Sequence, residues 1–181
     1  MELLTNDLIL RTVNEEDIDQ VAKMWEWDKA PVSIDEAHRV IRRMSENHQK
    51  NKYGHIHHLC LAIFEKGTNR IIGWCGLDGQ CNPGQIMIFY SIETAYQKKG
   101  YATQAAAKLL EYAFKNLGID CIHGGCYKSN SASARVMEKA GMIKTTFDED
   151  GDPSFRNYKG NLFWQNETPE ANYYNRFALC R

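Results

Sequence analysis

The fold is decided by one stretch, Ile86-Met87-Ile88-Phe89-Tyr90-Ser91-Ile92-Glu93-Thr94-Ala95-Tyr96-Gln97-Lys98-Lys99-Gly100-Tyr101-Ala102-Thr103. Its first part, Ile86 to Ile92, is apolar enough to be a buried strand, and the loop that follows delivers the chain into a helix start. A helix start collects backbone N–H groups that have no internal partners. Together with the positive end of the helix dipole, these donors form a site for anions such as phosphate. The small residues Gly100 and Ala102 let a ligand approach the backbone closely.

Beyond the loop, Ala102, Ala105, Ala106, Leu109, Leu110, Ala113 and Leu117 recur at three- and four-residue steps, which predicts a helix with one face buried on a sheet. Gly118 suits its C-terminal cap, Asp120 to Tyr127 reads as the next strand, Asn130 caps a further helix and Gly141 ends it. Upstream, Leu8 to Val13 reads as a strand, and Asn14 caps a helix carrying Ile18, Val21, Ala22 and Trp25 that Pro31 breaks. Ser33-Ile34-Asp35-Glu36 has the form of a capping box and opens a helix with Ala37, Val40, Ile41 and Met44 inward. Leu59 to Glu65 and Arg70 to Leu77 form a hairpin across Lys66-Gly67-Thr68-Asn69, and Asn82-Pro83-Gly84 turns the chain into the deciding strand. The aromatics Phe147, Phe155, Phe163, Trp164, Tyr173, Tyr174 and Phe177 mark a C-terminal part expected to finish the sheet.

A chain of 181 residues, 43% hydrophobic, fits one domain over residues 1–181 with a real core. A formal net charge of -1 gives no general attraction to nucleic acid or to an anionic membrane, so neither is expected as a partner. The N-terminus lacks a basic region before an apolar run, and no apolar stretch approaches the ~20 residues of a membrane span. The expectation is a soluble, cytoplasmic protein. Cys60, Cys75, Cys81, Cys121, Cys126 and Cys180 have no tight paired spacing and read as free thiols. His55-Ile56-His57-His58 with Cys60 lacks a second cluster at a recognised ligand spacing, so no metal site is expected.

The loop has the form Gln-x-x-Gly-x-Ala. Downstream lies Asn130-Ser131-Ala132-Ser133-Ala134-Arg135-Val136-Met137-Glu138-Lys139-Ala140-Gly141-Met142. Together they resemble the GNAT superfamily of acetyl-CoA-dependent N-acetyltransferases, and the second segment is similar to the RimJ/RimL-like branch that acetylates ribosomal-protein N-termini. The resemblance implies a mixed α/β (α+β) fold whose central, mostly antiparallel sheet is splayed at the cofactor site and flanked by helices. It implies acetyl-CoA as co-substrate, with the pantetheine arm along the backbone of Ile92, Glu93 and Thr94. The pyrophosphate would lie on the backbone of Gln97, Lys98, Lys99, Gly100, Tyr101, Ala102 and Thr103, with lysine charge nearby, and Asn130 would contact the arm. Many members carry a tyrosine where this chain has Met137, which cannot donate a proton. Ser133, in the position the branch uses near the sulfur, is then the candidate acid. Gln104, often Glu in the branch, and Tyr96-Gln97, in place of a common Trp-Gly pair, are further departures.

Acetyl transfer needs a neutral amine, and the candidate bases are Glu93 at the strand end, His123 on the next strand and Tyr90 through a bound water. An α-amino group with a pKa of about 8 needs less help than a lysine at about 10.4. The expected acceptor is therefore a primary amine, first a protein or peptide N-terminal α-amino group, otherwise a small-molecule amine such as a polyamine or antibiotic. Its groove is expected between the Trp25 to Ser33 connection and the aromatic C-terminal part, with Trp25, Trp27 and Tyr158 as lining. A P-loop is excluded because Tyr101-Ala102, not Lys-Ser/Thr, follows Gly100. A CoA-binding module without turnover is the rival of another class, and the state is a monomer or homodimer.

Overall fold

The computed structural model describes residues 1–25, 31–82, 84–147 and 153–158. Trp27, Phe163, Trp164, Tyr173, Tyr174, Phe177 and Cys180 lie outside them, and of Phe147 and Tyr158 only the backbone is described. Among the described residues eight strands form one sheet: β1 (Glu2–Leu4), β2 (Leu8–Arg11), β3 (His58–Glu65), β4 (Arg70–Asn82), β5 (Gln85–Ile92), β6 (Cys121–Gly125), β7 (Ile143–Phe147) and β8 (Pro153–Tyr158). Their spatial order is β1-β2-β3-β4-β5-β6-β8-β7. Every pairing is antiparallel except β5 with β6, which is parallel because the helix between them carries the chain back across the sheet. Of the C-terminal part, the described strands β7 and β8 extend the sheet, with β8 inserted between β6 and β7.

Among the described residues four helices cover the two faces: α1 (Ile18–Met24), α2 (Ile34–Lys50), α3 (Tyr101–Asn116) and α4 (Ser131–Lys139). The periodicity of α3 is realised, since Ala105, Ala106, Leu109, Leu110 and Ala113 are buried in one cluster with Leu61, Ile63, Leu77, Ile88 and Ile122. On the other face Val21, Ala22, Ala37, Val40, Ile41 and Met44 of α1 and α2 pack on Cys60, Ala62, Phe64, Ile71 and Trp74. Alternation along β3 and β4 feeds both clusters, which is why these central strands read as nearly continuous apolar runs. Full burial of one such Leu or Ile contributes roughly 1.5–3 kcal/mol.

Asn14 does cap: its side chain accepts from Glu16 N–H and closes a capping box with Asp17, starting a short 3₁₀ turn that runs into α1. The second capping box is only half made. Ser33 Oγ accepts from Glu36 N–H at 3.2 Å, but the Glu36 carboxylate pairs with Arg39 at 2.7 Å instead of returning to the Ser33 backbone. An ion pair one turn on takes the carboxylate that the motif assigns to the N-cap.

Arg11 at the end of β2 grips Asp17 bidentately at 2.7 and 2.8 Å, and Asp17 also accepts from Asn14 N–H at 3.0 Å. Burial pulls the Asp17 carboxyl upward, but Arg11 and the Asn14 amide outweigh it and hold it below the ordinary carboxylate range. The contribution is fully present above the unfolded carboxylate value of about 3.9 and is lost as pH falls through the lower folded value. Arg11→Ala leaves a buried charge uncompensated. It is expected to cost about 3–5 kcal/mol in urea unfolding at pH 7, with the difference from the native protein shrinking below about pH 4.

Candidate active site

Strands β5 and β6 meet at one register position, Met87 opposite His123, and diverge beyond it. Phe89 to Ile92 therefore have no ladder partner on that side among the described residues, while their other edge stays paired with β4 through Gly73↔Ile92 and Cys75↔Tyr90. The result is a wedge-shaped gap, closed at Met87 and His123 and open toward the loop after Ile92.

At the open end, Thr94–Tyr96 form a 3₁₀ turn, and Gln97 Nε2 donates to Ile92 O at 2.9 Å, tying loop to strand. Glu93 N–H is spent on Ile72 O at 2.8 Å. Lys98 (φ 63) and Gly100 (φ 82) both adopt left-handed backbone, which turns successive N–H groups to one side. The N–H groups of Lys98 through Thr103 have no hydrogen-bond partner among the described residues, the first helical bond being Gln104 N–H to Gly100 O at 3.0 Å. The space over Gly100 is open, with nothing within 4 Å of where a Cβ would stand. Lys99 Nζ lies 5.0 Å from the Tyr96 ring centre. Tyr101 Oη donates to Glu65 at 3.2 Å, and Gln104 accepts from Thr5 Oγ1 at 2.9 Å while donating to Asp7 at 2.7 Å. A Glu at 104 would face the Asp7 carboxylate, so the amide departure is dictated by the β1–β2 turn.

On the flank of the gap, Asn130 Oδ1 caps α4 by accepting from Ser133 N–H at 3.0 Å. Tyr90 Oη reaches across from β5 and stands 3.0 Å from both Ser133 O and Ser133 Oγ. Burial pushes the Tyr90 phenol well up, more than the contact with Ser133 lowers it, so it stays protonated and acts as a donor. Met137 is fully buried on the same helix, and a Cβ on Gly124 of β6 would come within 2.7 Å of its sulfur. Position 137 serves the packing of α4 on β6.

A sequence profile of the acetyltransferase (GNAT) domain matches residues 7–143. The chain belongs to the GNAT acetyltransferase family. It is similar to the uncharacterized N-acetyltransferase YnaD of Bacillus subtilis, 42% identical over 69 residues covering 38% of each chain. It is also similar to the uncharacterized N-acetyltransferase p20 of Bacillus licheniformis, 24% identical over 78% of this chain and 85% of that one. Among solved structures, the ribosomal-protein-S5-alanine acetyltransferase of Vibrio fischeri superposes with a TM-score of 0.73 at 15% identity, covering 89% of this chain and 98% of that one. RimL, a ribosomal L7/L12 α-N-protein acetyltransferase in complex with coenzyme A, superposes with a TM-score of 0.65 at 17% identity, covering 87% and 98%. These structural likenesses speak for the fold.

GNAT enzymes use acetyl-CoA as acetyl donor, and the outward N–H groups at the start of α3 fit a diphosphate. Of the other residues singled out in the sequence, Glu93 pairs with Arg70 at 3.4 Å, and His123 sits at the closed end of the gap. Burial, reinforced by nearby Arg156, lowers His123 to about 4, so it is a neutral imidazole at pH 7 and a weak base. Trp25 packs edge-on against Trp74 at 5.3 Å, while residues 26–30 of the expected groove lie outside the described ones.

Sequence reasoning missed Asp78, the residue across from Met87 on β4, which is 7% exposed. The available signal was a carboxylate inside an apolar strand, followed by Gly79, against the ordinary preference of strands. Gly100→Val places a β-branched residue at a left-handed φ under the open N–H groups. It is expected to raise the Kd for CoA at least ~100-fold while the far-UV dichroism stays native.

Proposed function

We propose that the protein moves an acetyl group from acetyl-CoA to a primary amine by direct attack in a ternary complex, a protein or peptide N-terminal α-amino group being preferred. The reading is carried by the wedge between β5 and β6, with unpartnered N–H groups at its mouth and the Tyr90–Ser133 pair on its flank. Bound acetyl-CoA supplies an activated acetyl thioester. The backbone from Gln97 to Thr103 holds its diphosphate, Ile92 to Thr94 flank the arm, and the Asn130 amide N–H₂, not used in capping, is available to a carbonyl of the arm.

Ser133 gives its hydroxyl proton to the sulfur as the C–S bond breaks. Tyr90 gives its one phenolic proton to the Ser133 carbonyl and its oxygen stands 3.0 Å from Ser133 Oγ, so it fixes the serine at the edge of the gap. This division of labour replaces the tyrosine that Met137 cannot supply. The preference for an α-amine rests on the Asn130 to Met142 segment and on the weakness of His123 as a base, since an α-amino group near pKa ~8 is partly neutral at pH 7. A small-molecule amine is the second reading, because the nucleotide-linked sugar GNAT FdhC superposes with a TM-score of 0.68, between the values for the two ribosomal-protein enzymes.

Thiol release measured with N-terminal peptides, polyamines and aminoglycosides tests the acceptor. Peptides are expected to give the highest kcat/KM, and turnover of polyamines alone would overturn the preference. Acetyl-CoA stabilisation without release from any amine would instead support a binding module. Ser133→Ala is expected to lower kcat about tenfold or more at unchanged affinity for CoA, and Tyr90→Phe to lower it by a smaller factor.

A further inference from the structure

A row of side chains crosses the sheet at the closed end of the gap. The register His58↔Asp78, Asp78↔Met87 and Met87↔His123 puts these four residues side by side on the face covered by α1 and α2. Asp78 stands immediately before the irregularity in β4, where the ladder to β5 lapses until Asn82. There is a reason for the lapse. A Cβ on Gly79 would fall 1.9 Å from Ile56 O, and Gly79 N–H donates to His57 O at 3.0 Å, so the chain is pressed onto the segment leading into β3.

That bend turns the next residues back onto the carboxylate. Gln80 N–H donates to Asp78 Oδ1 at 2.7 Å, and Cys81 Sγ donates to Oδ2 at 3.1 Å. Two oxygens offer about four lone-pair sites, so acceptor capacity is left over. His58 Nε2 is 4.0 Å from Asp78 Oδ2, and its ring stacks on Phe89 with centroids 5.5 Å apart. Its backbone is clamped by Asn51, which accepts from His57 and His58 N–H and donates to His58 O. His58 Nδ1 is buried without a hydrogen-bond partner among the described residues. Native folds retain such orphans rarely and often at working sites. A β-bulge that re-aims a carboxylate is likewise a feature of active sites.

The location gives the role. An arm entering at the N–H groups of the α3 start and running down the gap must end where β5 and β6 close, at Met87 and His123. Asp78 adjoins Met87 there, on the sheet face opposite α3 and α4. From the reading above, on which this inference rests, we propose that Asp78 receives the acceptor as an ammonium ion and takes its proton, with His58 as the positioning residue. The ammonium first gives one proton to the Asp78 carboxylate, which passes it on to water and frees the nitrogen lone pair. The neutral nitrogen then forms the C–N bond as the C–S bond breaks, and the second proton, lost as the nitrogen becomes an amide, returns through solvent to Ser133, whose own proton has gone to the sulfur. The substrate class is thus a cationic amine, anchored by its charge, and the site disfavours a neutral hydroxyl acceptor.

The test compares two acceptors: a peptide with an α-amino pKa of about 8, and O-methylhydroxylamine, which is neutral at pH 7. Asp78→Asn preserves the shape and one carbonyl oxygen for Gln80 N–H. For the peptide it is expected to lower kcat/KM about 100-fold or more, in the range of acid–base assistance. For the neutral amine the loss should be about fivefold or less, with CoA affinity native. Equal losses for both amines, or none for either, overturn the assignment of Asp78 while leaving the acetyltransferase reading intact. Absence of turnover by the native protein with every amine removes that reading and this one with it. His58→Gln should show the same selective pattern at smaller size, about three- to tenfold, and it decides the matter if Asp78→Asn loses CoA binding.

Discussion

A sheet cannot part between two strands without stranding the backbone groups along both new edges, so the single bridge between Met87 and His123 dictates much of what surrounds it. One edge is treated locally: Gln97 folds its amide back onto Ile92 O, and the 3₁₀ turn of Thr94–Tyr96 uses Glu93 O for Tyr96 N–H at 2.8 Å. The opening is also spanned by a side chain, since Tyr90 of β5 reaches over it to α4 and meets both oxygens of Ser133. Among the described residues the N–H groups of Lys98 to Thr103 at the α3 start stay without partners, an arrangement that suits an anion.

The gap stays open because each of its walls is fixed to something else. Strand β5 is held by an extended antiparallel ladder to β4, and β6 by a five-residue ladder to β8, from Cys121↔Tyr158 to Gly125↔Ser154. Below β6, Met137 and Met142 fill the space that a side chain on Gly124 would need. A tyrosine at 137 would have to find room in that contact, so the change at this position and the Tyr90–Ser133 pair belong to one packing solution.

Periodicity and caps were legible because they are local. The apolar stripe of α3, the β3–β4 hairpin turn and the Asn130 cap follow from a few neighbouring residues each. Strand β1 was not legible, since of Glu2, Leu3 and Leu4 only Leu3 is buried. The place of β8 between β6 and β7 was also hidden, because strand order is a tertiary property. The loop and helix start at Gly100 could be placed, yet the left-handed Lys98 beside it could not, as lysine carries no preference for that conformation. Asp78 escaped for a related reason. Its setting is made by contact of Gly79 with Ile56, some twenty residues earlier, and by Asn51 clamping His58.

Burial also decides which groups on this face of the sheet carry charge. His48 is lowered by desolvation and accepts from Cys60 N–H at 3.1 Å, so it is a neutral acceptor inside the α2–β3 contact. His58 is lowered for the same reason, although Asp78 pulls against it, and His123 is neutral beside Arg156. The thiol of Cys60 is pushed up to about 12 by burial and is not an anion at neutral pH. With the imidazoles neutral and the thiol protonated, the Asp78 carboxylate is the group in the row at the closed end whose charge matches an ammonium ion. Low surrounding polarity strengthens that attraction, and it also raises the cost of keeping both charges buried, which favours transfer of the proton before the nitrogen attacks. Binding and deprotonation are then served by one carboxylate at different moments of the same step.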